Sequence, residues 1–138
     1  MAFTQTLTTS FKQEILLGVH DLDTDTLKLA LYTANATLGA DTTVYSTSDE
    51  VTGTGYSAGG NTLTGVTVLV SGTTAYVDFA DTTWNPAGFT TRGALIYNAS
   101  KSNKAIAVLD FGADKTATTT FTVQMPANTA TSALIRIT

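Results

Sequence analysis

The chain has 138 residues, a formal net charge of −4 and a charged fraction of only 13%, which suits one domain with a nearly neutral surface. Its seven Lys and Arg residues are scattered along the sequence. No cluster of cations is present to neutralise a phosphate backbone or an anionic bilayer, so the composition argues against both nucleic-acid and membrane binding. The absence of Cys excludes disulfides, thiolate nucleophiles and Cys-based zinc sites.

Threonine dominates the composition, with 30 residues in the chain. Thr is β-branched, so it fits a pleated strand and is a poor helix former. Here it stands where Lys and Glu usually cover a protein surface. The sequence therefore predicts a rigid β-module whose copies repel one another weakly, and we expect it to self-associate as a homodimer or trimer.

The first 18 residues predict an arm followed by a short helix. Residues 1–9 are polar and rich in Thr, and we interpret them as an N-terminal arm. They lack the basic and apolar regions of a signal peptide, so we expect a soluble protein that is made and kept without Sec export. A helix is predicted over residues 10–18, because Ser10 and Gln13 have the spacing of a capping box and Gly18 is a natural stop.

After the helix the pattern changes to alternation of apolar and other residues, which is typical of strands. Strands are predicted over residues 26–34, 62–70, 74–80, 92–98, 104–111, 118–125 and 132–138. Turns are expected at 98–103 and 112–115. The pattern predicts a single all-β domain spanning residues 1–138, an antiparallel β-sandwich or jelly roll of about eight strands with one short N-terminal helix.

Two long segments without a strong strand pattern, residues 35–61 and 81–91, are candidate binding loops. The first contains Tyr56 within the glycine-rich stretch Gly53–Gly60. The second contains Trp84, the only Trp of the chain. Two interpretations of Trp84 stay open: it plugs the end of a sandwich, or it anchors a protein interface.

None of the motifs that resemble a catalytic, metal or nucleotide site is complete. Asp21–Asp25 resembles the start of a calcium loop, but the positions that require Gly and Glu hold Thr26 and Tyr32. His20 is the only His, and the sequence identifies no partner for it. The glycines of Gly53–Gly60 lack the strand, helix and Lys of a nucleotide loop. We therefore expect no enzymatic activity, no metal and no cofactor.

The ordered series of segments resembles a family of small virion proteins of tailed bacteriophages. Among these proteins the chain is most similar to the capsid cement (decoration) proteins of short-tailed phages, such as a Bordetella phage. The resemblance runs through nearly the whole chain, and its segments are Ser10–His20, Leu27–Thr33, Asp49–Tyr56, Val77–Phe79, Trp84, Arg92–Asn98 and Ala107–Gly112.

The resemblance implies a protein without catalytic function that binds the outer surface of the major capsid protein shell and stabilises it. Its location would then be the capsid surface of a virion assembled in the host cytoplasm. Two alternatives remain open: a tail, fibre or connector component, and a jelly-roll carbohydrate-binding module for host attachment. Candidate contact residues, in the arm and the two loops, are Phe3, Tyr56, Trp84 and Phe89.

Overall fold

The computed structural model describes residues 2–138 and contains ten strands and one helix within that range. In chain order they are β1 (Thr6–Leu7), α1 (Thr9–Leu16), β2 (Leu27–Tyr32), β3 (Asn61–Thr62), β4 (Thr67–Ser71), β5 (Thr74–Asp78), β6 (Thr82–Trp84), β7 (Phe89–Asn98), β8 (Lys104–Ala117), β9 (Phe121–Val123) and β10 (Ile135–Ile137). In the described residues, no helix is long and apolar enough to cross a bilayer.

These strands form three antiparallel sheets. The largest has five strands in the order β1-β8-β7-β2-β3, the second has the order β10-β5-β4, and β6 pairs with β9. The all-β antiparallel architecture with one short helix is therefore confirmed, whereas jelly-roll connectivity is not. Because several strands have only two or three residues, the long pair β7–β8 and its neighbour β2 provide most of the continuous hydrogen bonding.

The five-stranded sheet is buried on both faces. Leu29 and Ile96 belong to a core that the two smaller sheets and α1 share. The alternation of Leu27, Leu29 and Leu31 predicts this inward face of β2, and all three belong to that core. On the opposite face, Leu95 and Tyr97 pack with residues of the segment that connects β2 to β3, including Tyr45. A strand buried on both sides reads as a nearly continuous apolar run, which explains why β2 is apolar at almost every position.

The N-terminal segment is part of the fold, so the interpretation of residues 1–9 as an arm is wrong for residues 2–9. The N–H of Thr4 donates to the carbonyl of Leu38 at 3.0 Å, and β1 pairs with β8. Phe3 packs against the cluster of Leu95 and Tyr97 on the opposite face of the five-stranded sheet. These backbone hydrogen bonds and the packing of Phe3 offset the conformational entropy that the segment loses when it becomes ordered. Met1 lies outside the described residues.

The helix begins and ends earlier than the sequence predicts. Its N-cap is Thr8, whose side chain accepts a hydrogen bond from the N–H of Phe11 at 3.2 Å, while Ser10 lies inside the helix. The predicted capping box is therefore wrong. Thr8 takes this position because it is fully buried and its hydroxyl also donates to the carbonyl of Ala105 in β8. Gly18, with φ of +71°, follows the end of the helix as expected.

The predicted strands 62–70 and 74–80 pair as the hairpin β4–β5 over residues 67–71 and 74–78, although residue 62 belongs to β3 in another sheet. Gly72, with φ of +60°, lies in the two-residue loop of the hairpin. The predicted turn at 112–115 is wrong. Strand β8 continues to Ala117 and forms a large bulge instead of a turn, since Thr91 lies opposite Lys115 and Gly93 lies opposite Asp110. The glycine and polar residues of 112–115 fit a bulge as well as they fit a turn.

Candidate interaction surface

Three of the four candidate contact residues form an aromatic cluster inside the protein. Trp84 and Phe89 are buried, and their rings meet edge to face with centroids 6.4 Å apart. Phe121 and Tyr56 complete the cluster. Trp84 lies in β6 and not in a loop, and its neighbours fix its side chain toward the core. The prediction that Trp84 and Phe89 present side chains to a partner is therefore wrong, and the interpretation of Trp84 as a core plug is favoured.

Tyr56 is bound to a buried carboxylate. Its hydroxyl donates to Glu50 Oε2 at 2.5 Å and accepts from the N–H of Leu31 at 2.9 Å. Glu50 also accepts from the hydroxyl of Tyr45 at 2.7 Å and from the N–H of Gly59 at 2.8 Å. Burial, and then the adjacent Glu50, raise the pKa of Tyr56. All these hydrogen bonds lie within the chain, and they connect the loop of residues 45–60 to β2.

His20 also has an internal role. Its Nε2 lies 2.9 Å from Glu14 Oε1, and its Nδ1 lies 3.0 Å from the side-chain amide nitrogen of Asn98. Because the Asn98 amide can only donate through that nitrogen, Nδ1 accepts and the proton is on Nε2. Both ring nitrogens are thus engaged and the side chain is fully buried. His20 joins α1 to the end of β7 and has no free nitrogen for proton transfer.

The acidic segment Asp21–Asp25 is a polar turn. Asp21 Oδ1 accepts from the backbone of Asp23, and Asp25 Oδ2 accepts from Asn98 at 2.7 Å. Lys101 lies 2.9 Å from the other oxygen of Asp25. Burial opposes ionisation of Asp25, but these partners together lower its pKa to about 2. Within residues 2–138 no group of three metal-ligating side chains is placed to hold an ion.

An apolar groove of about 560 Å³ lies between the segment that follows α1 and the three-stranded sheet. We call it the apolar groove. Its aliphatic lining comes from both sides: Ile15, Leu22, Val68, Ala75, Val77, Ile135 and Ile137. Cross-strand pairing places Val68 beside Val77 and Val70 beside Ala75, so β4, β5 and β10 direct one aliphatic face toward it.

Part of this face extends beyond the core and is exposed to solvent. Val77 and Ile135 are buried at its inner end, whereas Val70 is 72% exposed and Ile137 is 55% exposed. At the end of α1, next to the groove residue Ile15, Leu16 is 88% exposed. Leu17 follows with 70% exposure. Val70 and Ile137 lie on the same sheet face on either side of Ala75, and contiguous exposed aliphatic residues of this kind often mark a binding surface.

The apolar residues of this surface are visible in the sequence, but their periodicity alone predicts that they belong to the core. Val68 and Val70 fall on the apolar face of a predicted strand, and Leu16 falls on the apolar face of the predicted helix. Alternation identifies which residues share a face and does not show how far the opposite layer extends. Here the opposite layer ends before Val70 and Ile137, which leaves them exposed.

Comparison with known proteins identifies no relative: no family model, no curated protein and no solved structure matches the chain. A functional assignment therefore depends on the residues and surfaces of this chain.

Proposed function

We propose that this protein is a capsid cement (decoration) protein of a tailed bacteriophage. In this role it binds the outer surface of the major capsid protein shell and stabilises the shell by binding alone. The resemblance of its ordered segments to small virion proteins gives the class of function. The observation that supports a binding role most directly is the apolar groove, together with the exposed Val70 and Ile137 on the sheet face that forms one of its sides.

The rest of the molecule fits a rigid binding module. The buried polar groups of Glu50, His20 and Asn98 are all paired within the chain. Such internal pairing favours a rigid fold, so little conformational entropy is lost when a partner binds. Each bound copy then stabilises the assembled shell by mass action, because it binds the shell and not the dissociated subunits.

The groove also indicates the kind of capsid surface that would fit it. Its floor and margin are aliphatic, and Asp21 and Asp23 line one side with exposed carboxylates. A complementary partner surface has an apolar ridge with Lys or Arg beside it. The apolar part would supply most of the affinity, and the charges would set orientation and association rate.

The test measures binding of the purified protein to heads from a phage that lacks this chain. Unmodified protein should co-sediment with the heads and raise the temperature at which they release DNA. Ile137→Lys should weaken binding at least tenfold, because it places a charge in the lining of the groove at a side chain that is 55% exposed. Thr120→Lys, which adds the same charge at an exposed position outside the groove lining, is the matched control and should bind as the unmodified protein does.

Two outcomes would contradict the proposal at different levels. If unmodified protein does not bind the heads, the cement function is wrong. If both lysine variants bind equally well, the function stands and the groove is not the contact surface. The carbohydrate-binding alternative needs exposed rings that stack on sugars, and the burial of Trp84 and Phe89 gives it no support.

A further inference from the structure

Strand β4 is an uncovered sheet edge without the usual protection. Within the described residues it pairs only with β5, at the end of the order β10-β5-β4. Its sequence is Thr67-Val-Leu-Val-Ser71, and its side chains from Val68 onward are exposed. Edge strands of soluble monomers usually have a Lys, a Pro or a bulge that prevents pairing with another chain. β4 has none of these and pairs with β5 in continuous register.

The hydrogen-bonding groups of this edge can be assigned from the hairpin. Ser71 and Thr74 flank the two-residue loop, so they form a hydrogen-bonded pair. Hydrogen-bonded and non-hydrogen-bonded pairs alternate along an antiparallel ladder. The backbone groups of Thr67, Leu69 and Ser71 therefore point to β5. Those of Val68 and Val70 point to the open edge, where they are available to another strand.

The sequence of β4 is nearly symmetric about Leu69. Val68 and Val70 lie on either side of it, and the small hydroxyl residues Thr67 and Ser71 lie beyond them. A strand of this kind is complementary to a second copy of itself in the antiparallel direction, because each residue then meets one of similar size and polarity. A two-fold axis through Leu69 requires this kind of self-complementarity.

We infer that two copies of this chain associate through antiparallel pairing of β4 with β4, around a two-fold axis at Leu69. In this register Val68 lies opposite Val70 of the second copy, and the two Leu69 side chains face each other. The residues whose backbone groups point outward thus form the hydrogen-bonded pairs, with two bonds in each pair. The backbone and the side-chain symmetry lead to the same register.

The pairing would join the two three-stranded sheets into one sheet of six strands. The exposed valines of one copy would lie beside those of the other, so the two apolar grooves would face the same side of the dimer. No charged residue lies on β4 to oppose the contact. The inference concerns the chain in solution and does not rest on the capsid function.

A cysteine cross-link tests both the contact and its register. The chain has no Cys, so Leu69→Cys introduces the only thiol. Facing residues of a non-hydrogen-bonded pair have Cα atoms about 4.5 Å apart, which is within the range of a disulfide. Mild oxidation should convert most of this variant to a covalent dimer. Thr67→Cys lies on the same face of the strand, but its two copies would be about 14 Å apart, from the spacing along and between strands. It should remain monomeric in denaturing gels.

Equal cross-linking of both variants would overturn the proposed register, and absence of cross-linking in Leu69→Cys would overturn the contact. Sedimentation of the chain without added Cys provides a second measurement. The unmodified protein should dimerise with increasing concentration, and its Val68 and Val70 amides should become protected from hydrogen exchange. Leu69→Lys should be monomeric, whereas Leu17→Lys should dimerise normally. A monomer at millimolar concentration would refute the inference.

Discussion

The aromatic ring of Phe3 lies directly over the backbone of Gly93. A methyl group on Gly93 would come within 2.5 Å of two carbons of this ring, so the contact is available only to glycine. The guanidinium of Arg92 lies 5.7 Å from the ring centroid. Phe3 therefore anchors the N-terminal segment on the central sheet, and its function as an interface residue of a free arm is not supported.

Gly93→Ala should destabilise the protein by about 1–3 kcal/mol, the usual cost of overpacking a filled site. The added methyl group meets the ring of Phe3 and, at 2.6 Å, the carbonyl oxygen of Leu109, which is backbone and cannot move easily. Urea denaturation measures the effect. Gly39→Ala is the control, since its methyl group would make only ordinary contacts of 3.7 Å or more. Equal stability of the two variants would contradict the packing described for Phe3.

Trp84→Ala should reduce the free energy of unfolding by about 3–5 kcal/mol, as expected for removal of a large core side chain. Trp84 is 3% exposed and contacts Tyr56, Phe89 and Phe121. Thermal unfolding measures the loss. At a temperature where the variant is folded, its affinity for heads should match that of the unmodified protein. Weaker binding with unchanged stability would show that Trp84 is an interface residue.

Asp78→Asn should stabilise the protein at neutral pH. Asp78 is 2% exposed, and in residues 2–138 its Oδ2 has no hydrogen-bond partner. Burial, and then repulsion from Asp81, raise the pKa of Asp78, although the N–H of Phe79 opposes the shift. A raised carboxyl pKa favours the folded state below the unfolded value, and this contribution is lost as the pH rises through the folded value.

The measurement is urea denaturation of both proteins at acidic and neutral pH. The advantage of Asp78→Asn should grow as the pH rises, because the neutral amide avoids the cost of a buried charge. If the two proteins show the same pH dependence, Asp78 is not ionised at a cost in the folded state.

The pKa of Asp25 is shifted in the opposite direction, so its contribution to stability has the opposite dependence on pH. Its pKa is lowered to about 2 although burial alone would raise it, because Asn98, the N–H of Asp21 and Lys101 favour the carboxylate. A lowered pKa contributes stability above the unfolded value of 3.8, and this contribution is lost as the pH falls through the folded value near 2. Asp25→Asn should therefore cost roughly 1.5–3 kcal/mol at pH 6, the range for hydrogen bonds to a charged group.

The difference between unmodified protein and Asp25→Asn should shrink between pH 4 and pH 2, as acid denaturation curves would show. Asp23→Asn is a suitable control because Asp23 is exposed, and it should change stability little. A constant difference across this pH range would show that the carboxylate of Asp25 is not the stabilising form.

The sequence predicts the parts of the fold that depend on local pattern. The β4–β5 hairpin follows from alternating residues on either side of Gly72, and the inward face of β2 follows from the spacing of Leu27, Leu29 and Leu31. The position of the helix cap was not predictable in this way. It depends on the contact of Thr8 with Ala105, which is 97 residues away in the chain.

The candidate surface was harder to predict for the same reason. Val70 and Ile137 have the pattern of core residues, and only the arrangement of the layers shows that they are exposed. Conversely, Trp84 lies in a segment with Pro and Gly that suggests an exposed loop, yet β6 pairs with β9 and buries it. Local pattern identifies strands and faces, whereas the extent of each layer is a property of the whole chain.

The copy number of this chain per purified particle tests the central claim most directly. Quantitative mass spectrometry would compare its amount with that of the major capsid protein. A cement protein that covers the shell should be present in a ratio near one to one, because it must occupy repeated lattice positions. A ratio near one to several tens would place the chain in the tail, a fibre or a connector and would contradict the proposed capsid function.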